Sequence, residues 1–189
     1  MKSKIFIITN ESIYINENKD YFCDNIDLKS IPENLNKFSE VNIIGRNSKK
    51  KRSKKIELKN IKISSNIIQY LLNLYKTLRD KDVKYLIISL SPYTFIASIL
   101  LKVFFKKHFI YLRSDGFEEY KAIFGKIGFF LYFFIFKIGI INSNLIACRE
   151  HLLRRNEGSL VNPSQLKDKW FQNINTSKPA SFDLLYVGR

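Results

Sequence analysis

Short β-branched runs alternate along this chain with longer segments of helical period. Lys4 to Thr9 (KIFIIT) and Glu40 to Gly45 (EVNIIG) read as strands separated by a polar stretch with room for one short helix or irregular loops. Lys55 to Ile63 (KIELKNIKI) has the pattern of a minor strand. In SNIIQYLLNLYKTLRD the residues Ile67, Ile68, Leu71, Leu72, Leu74, Tyr75 and Leu78 share one broad face, which predicts an amphipathic helix. Lys84 to Ser91 is a continuous apolar run, as a strand buried on both faces requires. Ser91 and Pro92 then supply an N-cap and a proline at the first helical position. A helix follows, then a strand over His108 to Leu112 and a long helix from Phe117 to about Ile141. After these come a strand over Asn144 to Cys148, a helix in REHLLRRN, a strand over Ser159 to Asn162 and a last short helix in PSQLKDKWF. Strand–helix–strand alternation of this kind predicts an α/β fold with a doubly wound, mostly parallel sheet, Rossmann-like in class. The fingerprint G-x-G-x-x-G is missing after the first strand, where Thr9-Asn10-Glu11-Ser12 stands, and this argues against a nicotinamide or flavin enzyme.

Composition adds two constraints. With 189 residues, 46% of them hydrophobic, the chain has room for one packed domain and the beginning of a second. The net charge of +15 favours polyanionic partners. Arg46, Lys49, Lys50, Lys51, Arg52, Lys54 and Lys55 fall in one stretch, either a solvated loop or a patch for anions at a membrane surface. No aromatic residue interleaves them, so no nucleic acid is expected. Cys23 and Cys148 match no metal spacing, neither histidine has a companion, and no metal is expected. Ile127 to Ile141 is rich in phenylalanine, but Lys126 and Lys137 bracket too short a run for a spanning helix of about 20 apolar residues. A helix packed on the sheet, or one lying in the membrane interface, is the expected form.

In an open parallel sheet the ligand lies beyond the carboxyl ends of the strands. Read in order, those ends are Asn10-Glu11, Gly45-Arg46, Ser89 to Ser91, Arg113 to Gly116, Cys148 to Glu150 and Asn162 to Ser164. The set suits a polar, hydroxylated or phosphorylated ligand. The densest part is RSDGFEEY. Asp115 with Glu118 three residues on resembles a capping box, which accounts for both acids but not for Arg113 at the mouth of a buried strand. Glu11 is either a base beside a sugar hydroxyl or a solvated acid. Trp170 and Phe171 are expected to pack the last helix onto the core.

Four ordered stretches, FSEVNIIGR, FIYLRSDGFEEY, NLIACREHL and GSLVNPSQLKDKW, followed by FDLLYVGR, resemble the N-terminal domain of GT-B glycosyltransferases. The likeness is to the family-4 group acting on bacterial cell-surface polysaccharides. It implies a Rossmann-like acceptor-binding domain over residues 1–178, and over 179–189 a linker with the first strand of a truncated donor-binding domain. The C-terminal half of the fold would then be missing and the fragment inactive. By the same likeness, Glu11, Arg113, Ser114 and Asp115 line the acceptor site and Arg189 belongs to the donor site, while the catalytic residues remain unknown. The donor would be a nucleotide sugar and the acceptor a glycan or lipid-linked sugar, with no cofactor and no metal. The enzyme would be cytoplasmic, peripheral at the inner membrane face. A non-catalytic, membrane-associated α/β binding module is the alternative left open by the residues themselves.

Overall fold

The computed structural model describes residues 3–80 and 82–161. Within them, β1 (Lys4–Ile15) pairs in parallel with β3 (Glu40–Asn47) on one side and β6 (Val83–Ile88) on the other. β3 pairs with β5 (Ile61–Ser64), and β6 with β7 (His108–Leu112). β8 (Asn144–Ala147) and β9 (Ser159–Leu160) extend that edge. The parallel order is therefore β5-β3-β1-β6-β7-β8-β9, which starts at the centre, grows to one edge, then returns and grows to the other. That is the doubly wound arrangement, and the α/β, mostly parallel sheet read from the apolar pattern is present.

The antiparallel pairing at one edge was not legible in the pattern. β1 runs beyond Thr9 to Ile15, and its outer end pairs with β2 (Tyr21–Cys23), which in turn pairs with β4 (Lys54–Ile56). The polar stretch after β1 thus holds a hairpin and then the helix α1 (Ile26–Leu35). The expected minor strand resolves into β4 and β5, each on a different neighbour.

Both faces of the sheet are buried, which is why its strands read as unbroken apolar runs. On one face Phe6, Ile8, Ile44, Tyr85, Ile87 and Ile110 meet α2 (Ile67–Tyr75), α3 (Pro92–Val103) and α4 (Gly116–Gly139). On the other, Ile7, Ile43, Val41 and Ile88 pack with Leu28 of α1. His108 is fully buried where β7, α3 and the end of α4 meet. Its Nδ1 lies 3.0 Å from the Lys106 carbonyl, an acceptor only, so Nδ1 carries the proton. Nε2 then accepts from a serine hydroxyl, with Ser143 Oγ at 2.8 Å and Ser98 Oγ at 3.1 Å.

The long helix expected after β7 folds back on itself. Phe117 and Phe136 have ring centroids 5.4 Å apart, whereas a straight helix would separate them by about 28 Å. The reversal occurs at Gly125, with φ 62° and ψ −147°, and yields a short arm (residues 116–124) and a longer arm (residues 126–139). Two other glycines permit the close packing: a methyl group at Gly116 would overlap the Tyr132 ring, and one at Gly128 the Tyr120 carbonyl. Gly116–Gly139 is long and apolar enough to cross a membrane as one helix, but the longer arm reaches only about 21 Å against a hydrocarbon core of about 30 Å. Another expectation shrinks as well. REHLLRRN forms only a 3-10 turn (Glu150–Leu153), closed by Arg154 and Arg155 at positive φ.

A candidate ligand site at the strand mouths

β1 and β6 are neighbours, yet the helices near their carboxyl ends leave on opposite faces, α1 to one and α3 to the other. A crevice opens at such a switch point. The backbone of β1 is irregular there: from Ile8 to Ser12 it advances four residues while β3 advances two, from Ile44 to Arg46. This bulge lifts Asn10 and Glu11 out of the ladder, and bulges commonly re-aim side chains beside a site. Tyr70 Oη anchors it from beneath, donating to the Thr9 carbonyl at 3.0 Å.

Glu11 is the hub. Its Oε1 accepts from Asn25 Nδ2 at 2.6 Å and lies 3.4 Å from an Arg113 guanidinium nitrogen. The other arm of that guanidinium lies 3.6 Å from Asp27 Oδ2. Asn25 is the N-cap of α1, its Oδ1 accepting from Asp27 N at 2.9 Å, so helix start and site are built from the same residues. Arg113 and Glu11 are each about one-third exposed, whereas Asp27 is nearly buried. Both ion pairs exceed the roughly 2.8 Å of a tight charged hydrogen bond, which leaves the guanidinium and carboxylate edges open to a ligand. The Tyr111 hydroxyl, close enough to feel the Asp27 and Arg113 charges, is buried and has no partner among the described residues. Burial, and next Asp27, push its pKa up to about 12.

On the α3 side of the crevice, Arg46 reaches Asn10 Oδ1 at 3.3 Å and stacks over the Tyr93 ring at 5.0 Å. Ser89, just past β6, stands at φ 61°, an uncommon conformation for a residue with a side chain, and its buried Oγ also has no partner among the described residues. An unsatisfied buried polar atom is costly, and both hydroxyls keep hydrogen-bonding capacity that no described residue uses.

Of the residues selected from the sequence, Glu11 and Arg113 are brought together, and Arg46 faces the same crevice. Asp115 is not joined to them. Its Oδ1 accepts from Phe117 N at 3.0 Å as the N-cap of α4, and its Oδ2 accepts from Arg154 at 2.7 Å. Glu118 does not complete a capping box but turns to Lys121 at 3.7 Å. Ser114 is part-buried on the same loop. In the basic stretch, Arg52 pairs with Asp24 at 2.6 Å, Lys54 donates to the Asp24 carbonyl and Lys55 pairs with Asp20 at 3.0 Å. Arg52, donating to Asp24, holds that carboxyl below its usual range. Only Lys49, Lys50 and Lys51 project as an exposed run from the β3–β4 loop. Arg189, the 178/179 boundary, Trp170 and Phe171 lie outside the described residues.

Compared with protein-family models, curated proteins and solved structures, the chain matches none. Asn25, Asp27, Tyr93 and Tyr111 are the members that the sequence reading missed. Tyr111 had a usable signal, since two residues before Arg113 on a strand means the same face. Asn25-Ile26-Asp27 had one as a helix N-terminus, but nothing in the pattern said that this helix starts beside Arg113.

Chemically, the strand mouths offer two amides (Asn10 and Asn25), two carboxylates (Glu11 and Asp27), two guanidinium groups (Arg46 and Arg113) and the hydroxyls of Ser89 and Tyr111. Such a mixture of acceptors and donors suits a ligand rich in hydroxyl groups, where each hydroxyl both donates and accepts. Among the described residues, no group of three or more His, Cys, Asp or Glu side chains is placed to hold a metal ion.

Proposed function

We propose that this domain is the acceptor-binding domain of a GT-B glycosyltransferase, receiving a glycan or lipid-linked sugar in the crevice between β1 and β6. The reaction would transfer a sugar from a nucleotide-sugar donor in cytoplasmic synthesis of cell-surface polysaccharide. The observation that carries the reading is the convergence of Glu11, Arg113 and Asp27 at the switch point. The resemblance of the ordered strand-mouth stretches agrees with it. Glu11 would accept a hydrogen bond from an acceptor hydroxyl, and Arg113 would donate to a neighbouring hydroxyl or to a phosphate of a lipid-linked acceptor. Asp27, at the positive end of α1, holds Arg113 in place. Ser114 and Asp115 form the edge of the crevice, Asp115 by fixing the start of α4. No cofactor or metal enters this scheme.

A glycan array of bacterial surface oligosaccharides tests it, with nucleotide sugars and free nucleotides as competitors. Saccharide binding that Arg113→Ala and Glu11→Gln abolish is the expected result. Binding of free nucleotides alone, or saccharide binding indifferent to both substitutions, would overturn the acceptor assignment.

A further inference from the structure

The longer arm of α4 presents apolar side chains in two directions. Gly128, Tyr132, Ile135, Phe136 and Gly139 face the core and are buried. Opposite them Ile127, Phe130, Leu131, Phe134 and Ile138 form a second stripe that nothing in the described fold covers, with Ile127 78%, Phe130 61% and Phe134 60% exposed. A globular helix normally turns polar residues outward. Scattered apolar residues on a surface need no explanation, but a contiguous aromatic stripe does.

Charge identifies what fits it. Residues 126–139 contain no acid, and their two lysines, Lys126 and Lys137, stand eleven positions apart. At about 100° per residue both fall within about 20° of one another on the helix, along one flank of the exposed stripe. Lysines on such a flank can lay their stems against apolar surface while the ammonium groups reach upward to headgroups. Lys102 donates to the Ile138 and Gly139 carbonyls, bringing the end of α3, with exposed Phe105 and Lys107, beside this arm. Self-association across the stripe would set Lys126 and Lys137 against their own copies, whereas an anionic surface neutralises them.

We propose that the longer arm of α4 docks this protein on an anionic lipid bilayer, lying in the interface with Ile127, Phe130 and Phe134 inserted. The arm is too short to span and has the aromatic face and basic flank of an interfacial helix. The proposal stands whether or not the domain handles glycosyl acceptors, and it assigns the contact to α4 rather than to the Arg46–Lys55 stretch.

Vesicle flotation of the full chain tests it, comparing pure phosphatidylcholine with vesicles that also contain phosphatidylglycerol. We expect the protein to float with the anionic vesicles and Phe130→Ser/Phe134→Ser to lose about tenfold or more in partitioning. Lys126→Gln/Lys137→Gln should lose about fivefold per lysine, and Lys49→Gln/Lys50→Gln/Lys51→Gln should float as the parent does. Circular dichroism of each variant checks folding. Independently, the emission of Phe130→Trp in a Trp170→Phe background should shift to the blue and be quenched by brominated lipids. The proposal is overturned if the parent stays unbound on anionic vesicles, or if binding survives the phenylalanine pair and is lost with Lys49 to Lys51. It is equally overturned if the parent is a dimer that the phenylalanine pair dissociates without any binding to vesicles.

Discussion

Replacing Gly125 by alanine separates the folded-back form of α4 from a continuous helix by the sign of a stability change. At φ 62°, ψ −147° the mirror image of the Gly125 backbone lies in the polyproline II region, so the position suits a D residue and not an L one. A β-carbon built there meets nothing within 4 Å among the described residues, so the expected effect of the substitution is backbone strain. Strain of this kind costs about 1–3 kcal/mol. If residues 116–139 formed one straight helix, the same change would stabilise by about 0.5–1 kcal/mol, because glycine is the poorer helix former. Urea unfolding followed by circular dichroism resolves the two cases, and the melting temperature should fall by about 2–4 °C for each kcal/mol lost. An unchanged or raised midpoint for Gly125→Ala would refute the reversal at Gly125. Gly128→Ala and Gly116→Ala should cost more, since one meets the Tyr120 backbone and the other the Tyr132 ring.

Further expectations concern groups that the fold has buried or committed. Burial holds the pKa of His108 below its ordinary value of 6.5, so folding favours the neutral ring. Its contribution to stability is complete above that value and is lost as the pH falls toward the lower, folded value. Subtracting the pH profile of His108→Gln from that of the parent should isolate this acid-side loss, and a flat difference would contradict it. Burial, with Glu11 adding to it, pushes the Cys23 thiol up to about 11. In a Cys148→Ser background Cys23 should therefore resist a thiol reagent at neutral pH until urea is added, and prompt labelling of the folded protein would be inconsistent with its burial. Asp115→Ala removes the cap of α4 and the partner of Arg154, for a loss of about 1–2 kcal/mol by thermal melting, while Asp115→Asn keeps much of the cap.

The parallel sheet was legible because both of its faces are buried, which leaves β-branched runs such as Ile5 to Ile8 and Leu86 to Ile88 without polar interruption. The start of α3 was legible for a local reason too: Ser91 and Thr94 cap each other's turn in the way Ser-Pro predicts. What the pattern concealed is non-local. β2 and β4 are three-residue strands whose existence depends on each other and on the overrun of β1, a pairing no periodicity encodes. The fold-back of α4 was hidden because its longer arm is apolar in two directions and so gives a weak phase; the only clue was glycine at 116, 125 and 128. At the site, Glu11 and Arg113 could be picked as residues at strand mouths. Asp27 and Asn25 could not, because their place beside Arg113 is set by how α1 crosses the sheet.

The central claim is that Glu11 and Arg113 form one binding site for a hydroxyl-rich acceptor. Titrating isotopically labelled protein with the best saccharide from the array, and following its NMR shifts, addresses that most directly. We expect shifts concentrated at Asn10, Glu11, Asn25, Ser89 and Arg113, and loss of binding in Arg113→Ala and in Glu11→Gln. Shifts centred elsewhere, or unaltered affinity in both variants, would contradict the account.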